Sequence, residues 1–496
     1  MIPVMTMEDI HDATETFARY GVPADRIFYE IMRARYLDYV LFLNPANQQY
    51  GISIEDLYEN MKKTADRLGM YEGDADTYVR VYTLALRVDP MAFAPGIRQT
   101  GKEMESLVEE ALKRAEKSGK TVLFSGVESY MVYAARIADR LPDKRLAFVV
   151  ESPSWKKKLQ LVFPRCRLLT SDELKEDTIS YDYIFHFGHG DSSEELSLLS
   201  RLSDEGTMDW ILPYPAFSIS DVSMENIKKE ILSEEKMEAY YDLSLGDLEY
   251  AFLRFGEKKK QSISFGNVIF AEKACRFFEM LRLPFDSFAQ ADEWNYDVYI
   301  YNAFPALQAI LAGNILQMDH AVEQEFKIIT KETIPEGQYS LLTASSITDS
   351  EIRKEEVKAF LSDGKKEGIL LQKGDLAISV HKGQIHLLPV EEANVYVTGD
   401  QVFGLRSKGK YSAWYLKLYL DGPIGHLFLN TMKAGEEYAF TLSRFLRIPL
   451  PVSDEHTIAE SSRMAREAVS NLADAEENWR KAKRNAVGLM MGHSLT

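Results

Sequence analysis

The runs TVLFSG (121–126), YMVYAARIADRL (130–141), RLAFVVES (145–152), CRLLTSDEL (166–174) and YDYIFHFGHG (181–190) decide the fold. Short apolar runs alternate with amphipathic stretches, and that alternation predicts a parallel, doubly wound sheet with helices on both faces. In such a sheet ligands bind beyond the carboxyl ends of the strands, so the residues just after each run matter most. The segments TMDWILPYPAF (207–217), LEYAFLRFG (248–256) and SISFGNVIF (262–270) read as further strands that extend the sheet to about residue 270.

Upstream, Ile27, Phe28, Ile31, Met32, Tyr36, Leu37, Val40 and Leu41 share one broad helical face. Ser53 is placed to cap a second helix that Gly69 would stop, and DTYVRVYTLALRV (76–88) forms a third that ends at Asp89-Pro90. Downstream, ILLQ (369–372), DLAISV (375–380), QIHLLPV (384–390), NVYVTG (394–399) and QVFGLR (401–406) are strand-like runs separated by glycine turns. Helices are expected at YSAWYLKLYLD (411–421) and IGHLFLNT (424–431). Ile458, Ala465, Leu472, Trp479 and Ala486 then recur every seven residues, with Ala468, Ala475 and Ala482 between them. This heptad seam predicts one long helix packed on another, in this chain or in a partner. The reading is a multi-domain α/β chain: a helical domain over 1–115, an α/β domain over 116–285, linker helices over 286–325, a mixed α+β domain over 326–452 and a coiled-coil-like helix over 453–496.

Composition sets bounds. With 46% apolar and 27% charged residues, the 496-residue chain can bury several cores and is not disordered. Its 2 cysteines, Cys166 and Cys275, exclude a disulfide framework within the chain. No run reaches the roughly 18 apolar residues of a membrane span, and MIPVMTMEDIHD at the start has no basic region followed by an apolar core. A cytoplasmic protein with no membrane partner is expected. The net charge of −18 argues against nucleic acid, because phosphate contacts need cations. Residues 327–450, however, hold 16 Lys and Arg against 15 Asp and Glu, so the negative surplus lies elsewhere.

The order of segments resembles the modification subunits of type I restriction-modification systems, the N-6 DNA methylases that place a methyl group on adenine. In that family a helical domain leads to a Phe-x-Thr-Pro segment and a glycine-rich loop, both of which help hold S-adenosylmethionine. Phe93 and Pro95 stand at the first place, and Gly126 at the second, where backbone must approach the cofactor closely. The acid expected after the second strand, on the ribose hydroxyls, is Glu151, and the acid expected beside the adenine ring after the third is Asp172. The family's fourth strand ends in Asn-Pro-Pro and an aromatic residue, which clamp a flipped-out base. Here the corresponding stretch is Ile184-Phe185-His186-Phe187-Gly188-His189, with neither the Asn nor the prolines. Phe187 could stack on a base and His186 or His189 accept a proton, although two histidines at this spacing are more often structural.

Residues 326–450, with IPLP (448–451) before the long helix, resemble a target-recognition domain of a type I specificity subunit. That resemblance implies double-stranded DNA as a partner, with Lys382, Lys408, Lys410, Lys433, Arg444 and Arg447 as candidate contacts. It also implies pairing through the C-terminal helix, as a homodimer or with other restriction-modification subunits. Three functions remain open: a methyltransferase-like DNA-binding protein with impaired catalysis, an active adenine-N6 methyltransferase with divergent motifs, and a scaffold that binds only protein.

Overall fold

The computed structural model describes residues 5–40, 74–97, 100–188, 198–213, 236–246, 248–256, 260–271, 274–289, 296–381, 384–393, 395–434 and 442–490, with isolated positions between them. They form two compact units, Met1–Tyr296 and Asp297–Thr496.

The first unit is built on nine strands: β1 (Thr121–Ser125), β2 (Arg145–Val149), β3 (Arg167–Leu169), β4 (Tyr181–Phe187), β5 (Leu202–Pro213), β6 (Met237–Leu245), β7 (Leu248–Phe255), β8 (Ser262–Ala271) and β9 (Ala274–Pro284). Their order is β3-β2-β1-β4-β5-β7-β6-β8-β9. The first five are parallel, and β7 runs antiparallel between β5 and β6. This is a Rossmann-like, doubly wound sheet, and its direction of winding reverses between β1 and β4. The parallel strands are buried on both faces, which is why they read as unbroken apolar runs rather than as alternation.

Among the described residues the chain opens with helices α1 (Met7–Arg19), α2 (Ile27–Asp38) and α3 (Ala75–Arg87). Thr6 caps α1 through a reciprocal bond with Asp9, and Asp74 caps α3 by accepting from the Thr77 amide at 2.9 Å. Ser53 accepts from the Asp56 amide at 3.0 Å as a cap should, while Gly69 lies outside the described residues. The sequence predicts one apolar face for α2, yet Glu30 and Arg33 are buried as well. They neutralise each other across one turn, so more than one face of the helix can be covered, by α3 and by α6 (Pro153–Val162).

Between α3 and the sheet lie α4 (Lys102–Lys117) and, after β1, α5 (Ala134–Arg140). The pattern predicts helix from residue 130. Instead Val127–Ser129 and Met131–Tyr133 are two successive 3-10 turns, because Tyr130 drops its ring into the core and breaks the spiral at φ −139°.

Across the sheet, Asp209 of β5 accepts from Arg114 of α4 and Arg254 of β7, each at 2.9 Å, and from the Tyr183 hydroxyl at 3.0 Å. One buried carboxylate thus holds three elements, an arrangement that survives only when every partner is present.

The second unit contains two four-stranded sheets. One runs in the order Phe326–Ile328, Val402–Ser407, Leu376–His381, Gln384–Pro389; the other in the order Lys358–Ser362, Gly337–Leu342, Tyr396–Thr398, Leu370–Leu371. Helix α8 (Ala413–Asp421), capped by Ser412, packs on the long α9 (Glu455–Met490), and the Ser412 and Ser462 hydroxyls meet at 2.6 Å. The expected seam divides. Ile458 and Ala465 are buried against their own unit, whereas Leu472 and Trp479 are 46% and 62% exposed. None of the described helices is long and apolar enough to cross a membrane.

Asp89 accepts from the Met91 amide at 2.8 Å at the turn that ends α3, and its burial pushes the carboxyl up to about 6. A carboxyl raised in the folded state contributes stability that is full at acid pH and is lost as pH rises through that value. Asp89→Asn keeps the cap acceptor and should therefore stabilise the protein by about 2 kcal/mol near pH 7.5, a gain that disappears near pH 4. Urea unfolding at the two pH values tests this, and an equal gain at both would contradict it.

Candidate functional site

The reversal of winding between β1 and β4 opens a cleft at the strands' carboxyl ends, as expected for this architecture. Its volume is about 510 Å³, within the range of small-molecule sites. Thr100, Glu103 and Met104 at the start of α4, Ser129 after β1, Phe187 at the end of β4 and Tyr250 of β7 line it. Phe187 packs on Tyr250 with ring centres 5.2 Å apart.

Gly126 ends β1 in the left-handed conformation, φ +70°. A Cβ on it would lie 2.0 Å from the Phe187 carbonyl oxygen. Its missing side chain thus lets β1 and β4 close on each other, and the neighbour it accommodates is protein backbone. Beyond it, Tyr130 is fully buried against Phe124 and Phe185 at 6.4 and 5.3 Å, and its hydroxyl donates to the Ser125 carbonyl at 3.0 Å. Burial holds that phenol well above its ordinary pKa, so it stays neutral.

Glu128 is the residue that sequence reasoning missed. Its carboxylate accepts from the amides of Glu151 and Ser152 at 2.7 and 3.3 Å, closing the end of β2. Burial raises its carboxyl despite those hydrogen bonds. An acid two residues after a strand-ending glycine was the available signal.

Of the described residues expected at a cofactor or catalytic site, Phe187 is among those lining the cleft and the others are not. Glu151 is exposed, and Asp172 is 95% exposed in the first turn of α7 (Ser171–Glu176), 3.5 Å from Lys175. Phe93 sets its ring edge-on to Phe17 at 6.1 Å, and Pro95 is exposed on the following turn. His186 is buried in β4 beside Trp210, ring centres 6.1 Å apart, rather than among the residues lining the cleft. His189 lies outside the described residues. Among those described, no group of three His, Cys, Asp or Glu could hold a metal ion. Gly126 thus meets Phe187, the Glu128 carboxylate holds the β2 amides, and neither Glu151 nor Asp172 is among the residues lining the cleft.

In the second unit the expected DNA contacts divide. Lys382 lies outside the described residues. Lys408 donates to the Glu323 carbonyl at 2.6 Å, Lys410 lies over the Tyr411 ring, and Lys433 belongs to a two-residue strand, Lys433–Ala434. Arg444 is 1% exposed and lies 3.5 Å from Asp297, and Arg447 donates to the same carboxylate at 2.6 Å. Both guanidinium groups balance a buried charge inside the unit.

No protein-family model matches the chain, and no curated protein matches it in sequence. Among solved structures it is similar to the methyltransferase subunit of a type I restriction-modification system from Streptococcus thermophilus, at 12% identity and TM-score 0.30, over 45% of this chain and 60% of that one. It is similar to the type IIG restriction endonuclease BpuSI at 9% identity and TM-score 0.38, over 90% of this chain and 74% of that one. It is also similar to a TehB-like SAM-dependent methyltransferase from Corynebacterium glutamicum at 13% identity and TM-score 0.23, over 32% of this chain and 88% of that one. The chain thus spans about 60% of the first of these proteins.

The Gly126 contact makes a stability prediction. Gly126→Ala adds a backbone clash to left-handed strain and should cost about 2–4 kcal/mol. Gly246→Ala, at φ +63° with nothing within 4 Å of the new Cβ, should cost only the strain of about 1–2 kcal/mol. Equal losses in denaturant titrations would show that the approach to Phe187 is not tight.

Proposed function

We propose that this chain is a methyltransferase-fold DNA-binding protein of a restriction-modification or related defence system, in which S-adenosylmethionine chemistry has been lost. The observation that carries the reading is the carboxylate of Glu128 on the amides of Glu151 and Ser152, at the strand end where the family's ribose-binding acid stands. A carboxylate already engaged there repels a second one and takes the donors that a ligand would use. The missing Asn-Pro-Pro segment agrees with this, since without its acceptors a target amine is not activated. The sheet has kept the order of a methyltransferase.

Duplex DNA is the proposed partner of the second unit. Arg444 and Arg447 are spent on Asp297, so the contacts fall to Lys408, Lys410, Lys433 and Lys382. About three or four phosphate contacts give a shallow salt dependence, near −3 in the slope of log affinity against log salt. The exposed Leu472 and Trp479 of α9 are the proposed contact with a second subunit or a second copy.

Calorimetry with S-adenosylmethionine should give no heat of binding at millimolar ligand. Tight binding that is lost on Glu151→Ala would instead establish the active-enzyme reading. In the same preparation, duplex DNA should bind at low ionic strength and be released on adding salt; no binding at low salt would favour a protein scaffold.

A further inference from the structure

At the amino ends of β2 and β3, the end of the sheet away from the cleft, lies a second cavity of about 470 Å³. Leu86, Leu141, Leu146, Val162 and Phe163 give it an apolar wall. Arg35, at the end of α2, also lines it. The Nε of Arg35 is enclosed by protein and meets no hydrogen-bond partner among the described residues. Asp38, Asp89 and Asp139 act on this guanidinium through space without a hydrogen bond, and burial pulls its pKa below the ordinary arginine value. The other ionised groups of the lining are Lys144, Arg165, Asp38 and Asp139. Lys144 is committed to the carbonyls of Glu116, Ser118 and Gly119 at 2.7–3.1 Å, and Asp38 accepts from the Tyr82 hydroxyl at 2.9 Å. Arg165 is exposed at the rim.

An enclosed guanidinium nitrogen without a hydrogen-bonded partner is costly, and proteins keep one where something else completes it. A planar fork of donors beside an apolar wall is complementary to an anionic group carried on an apolar body. We propose that this cavity is a second ligand site, which takes a small organic anion with its acidic oxygens on Arg35 and its apolar body against Leu141, Leu146 and Phe163. The inference is independent of the function proposed for the cleft and of any DNA partner. Since α2, the loop before β2 and the loop before β3 all contribute, an occupant ties the N-terminal helices to the sheet.

Naphthalene-1-sulfonate is a suitable probe, with the uncharged naphthalene-1-sulfonamide as its match. Titration calorimetry on the full-length protein should show one saturable sulfonate site per chain, with the sulfonamide at least tenfold weaker. Arg35→Gln should weaken sulfonate binding at least tenfold, and Arg35→Lys should restore part of it. Ala138→Phe, which fills the cavity from its wall without touching the charge, should abolish binding of both probes. Thermal melting establishes that each variant is folded; where Arg35→Gln does not fold, the Ala138→Phe and sulfonamide arms decide. The proposal is overturned if the sulfonate does not saturate, if the neutral probe binds equally well, or if folded Arg35→Gln or Ala138→Phe binds within twofold of the unaltered protein.

Discussion

The carboxyl end of the first unit's sheet depends on one close approach, the backbone of Gly126 against the carbonyl of Phe187. With no Cβ between them, the backbones at the ends of β1 and β4 meet beside the cleft that the reversal of winding opens. The loop after β1 then has nowhere to spread, and it folds as two tight 3-10 turns with Tyr130 driven inward onto Phe124 and Phe185. That turn geometry carries Glu128 to the amides at the end of β2. The same glycine that a cofactor-binding loop needs for contact with its ligand is needed here for contact with the protein itself.

Buried charge is handled by the same logic in both units. Asp209 gathers Arg114, Arg254 and the Tyr183 hydroxyl within the sheet, and Asp297 gathers Arg444 and Arg447. Such clusters contribute little net stability beyond what apolar packing would give, but they penalise any arrangement in which one member is missing. They therefore specify which helix and strand lie together. Arg35 differs in that Asp139, Asp89 and Asp38 act on it through space while its Nε meets no hydrogen-bond partner among the described residues.

The strands β1 to β4 were legible because buried parallel strands are written as apolar runs, and their parallel, doubly wound arrangement followed from the alternation with helices. β9 was not, since its side chains alternate between exposed and half-buried along an edge and the run ACRFFEMLRLP carries charges at intervals. The cover around α2 was hidden by Glu30 and Arg33, which look like a solvent-facing turn until they are seen to pair. The partners of arginines were not legible: Arg447 reads the same whether it faces a phosphate or a carboxylate 150 residues earlier in the chain. The candidate site was legible in position, through the strand ends, but not in chemistry. Whether Glu151 or Glu128 occupies the end of β2 depends on where a 3-10 turn aims a side chain, and residue spacing does not encode that.

The occupation of the β2 end by Glu128 can be followed directly through the amide hydrogens of Glu151 and Ser152. Hydrogen exchange resolved to these two amides should show both protected in the unaltered protein, unprotected in Glu128→Ala, and unchanged when S-adenosylmethionine is added at millimolar concentration. Fast exchange in the unaltered protein, or slowing on addition of S-adenosylmethionine, would mean that the end of β2 is open to a ligand and that the account of a closed cofactor position is wrong.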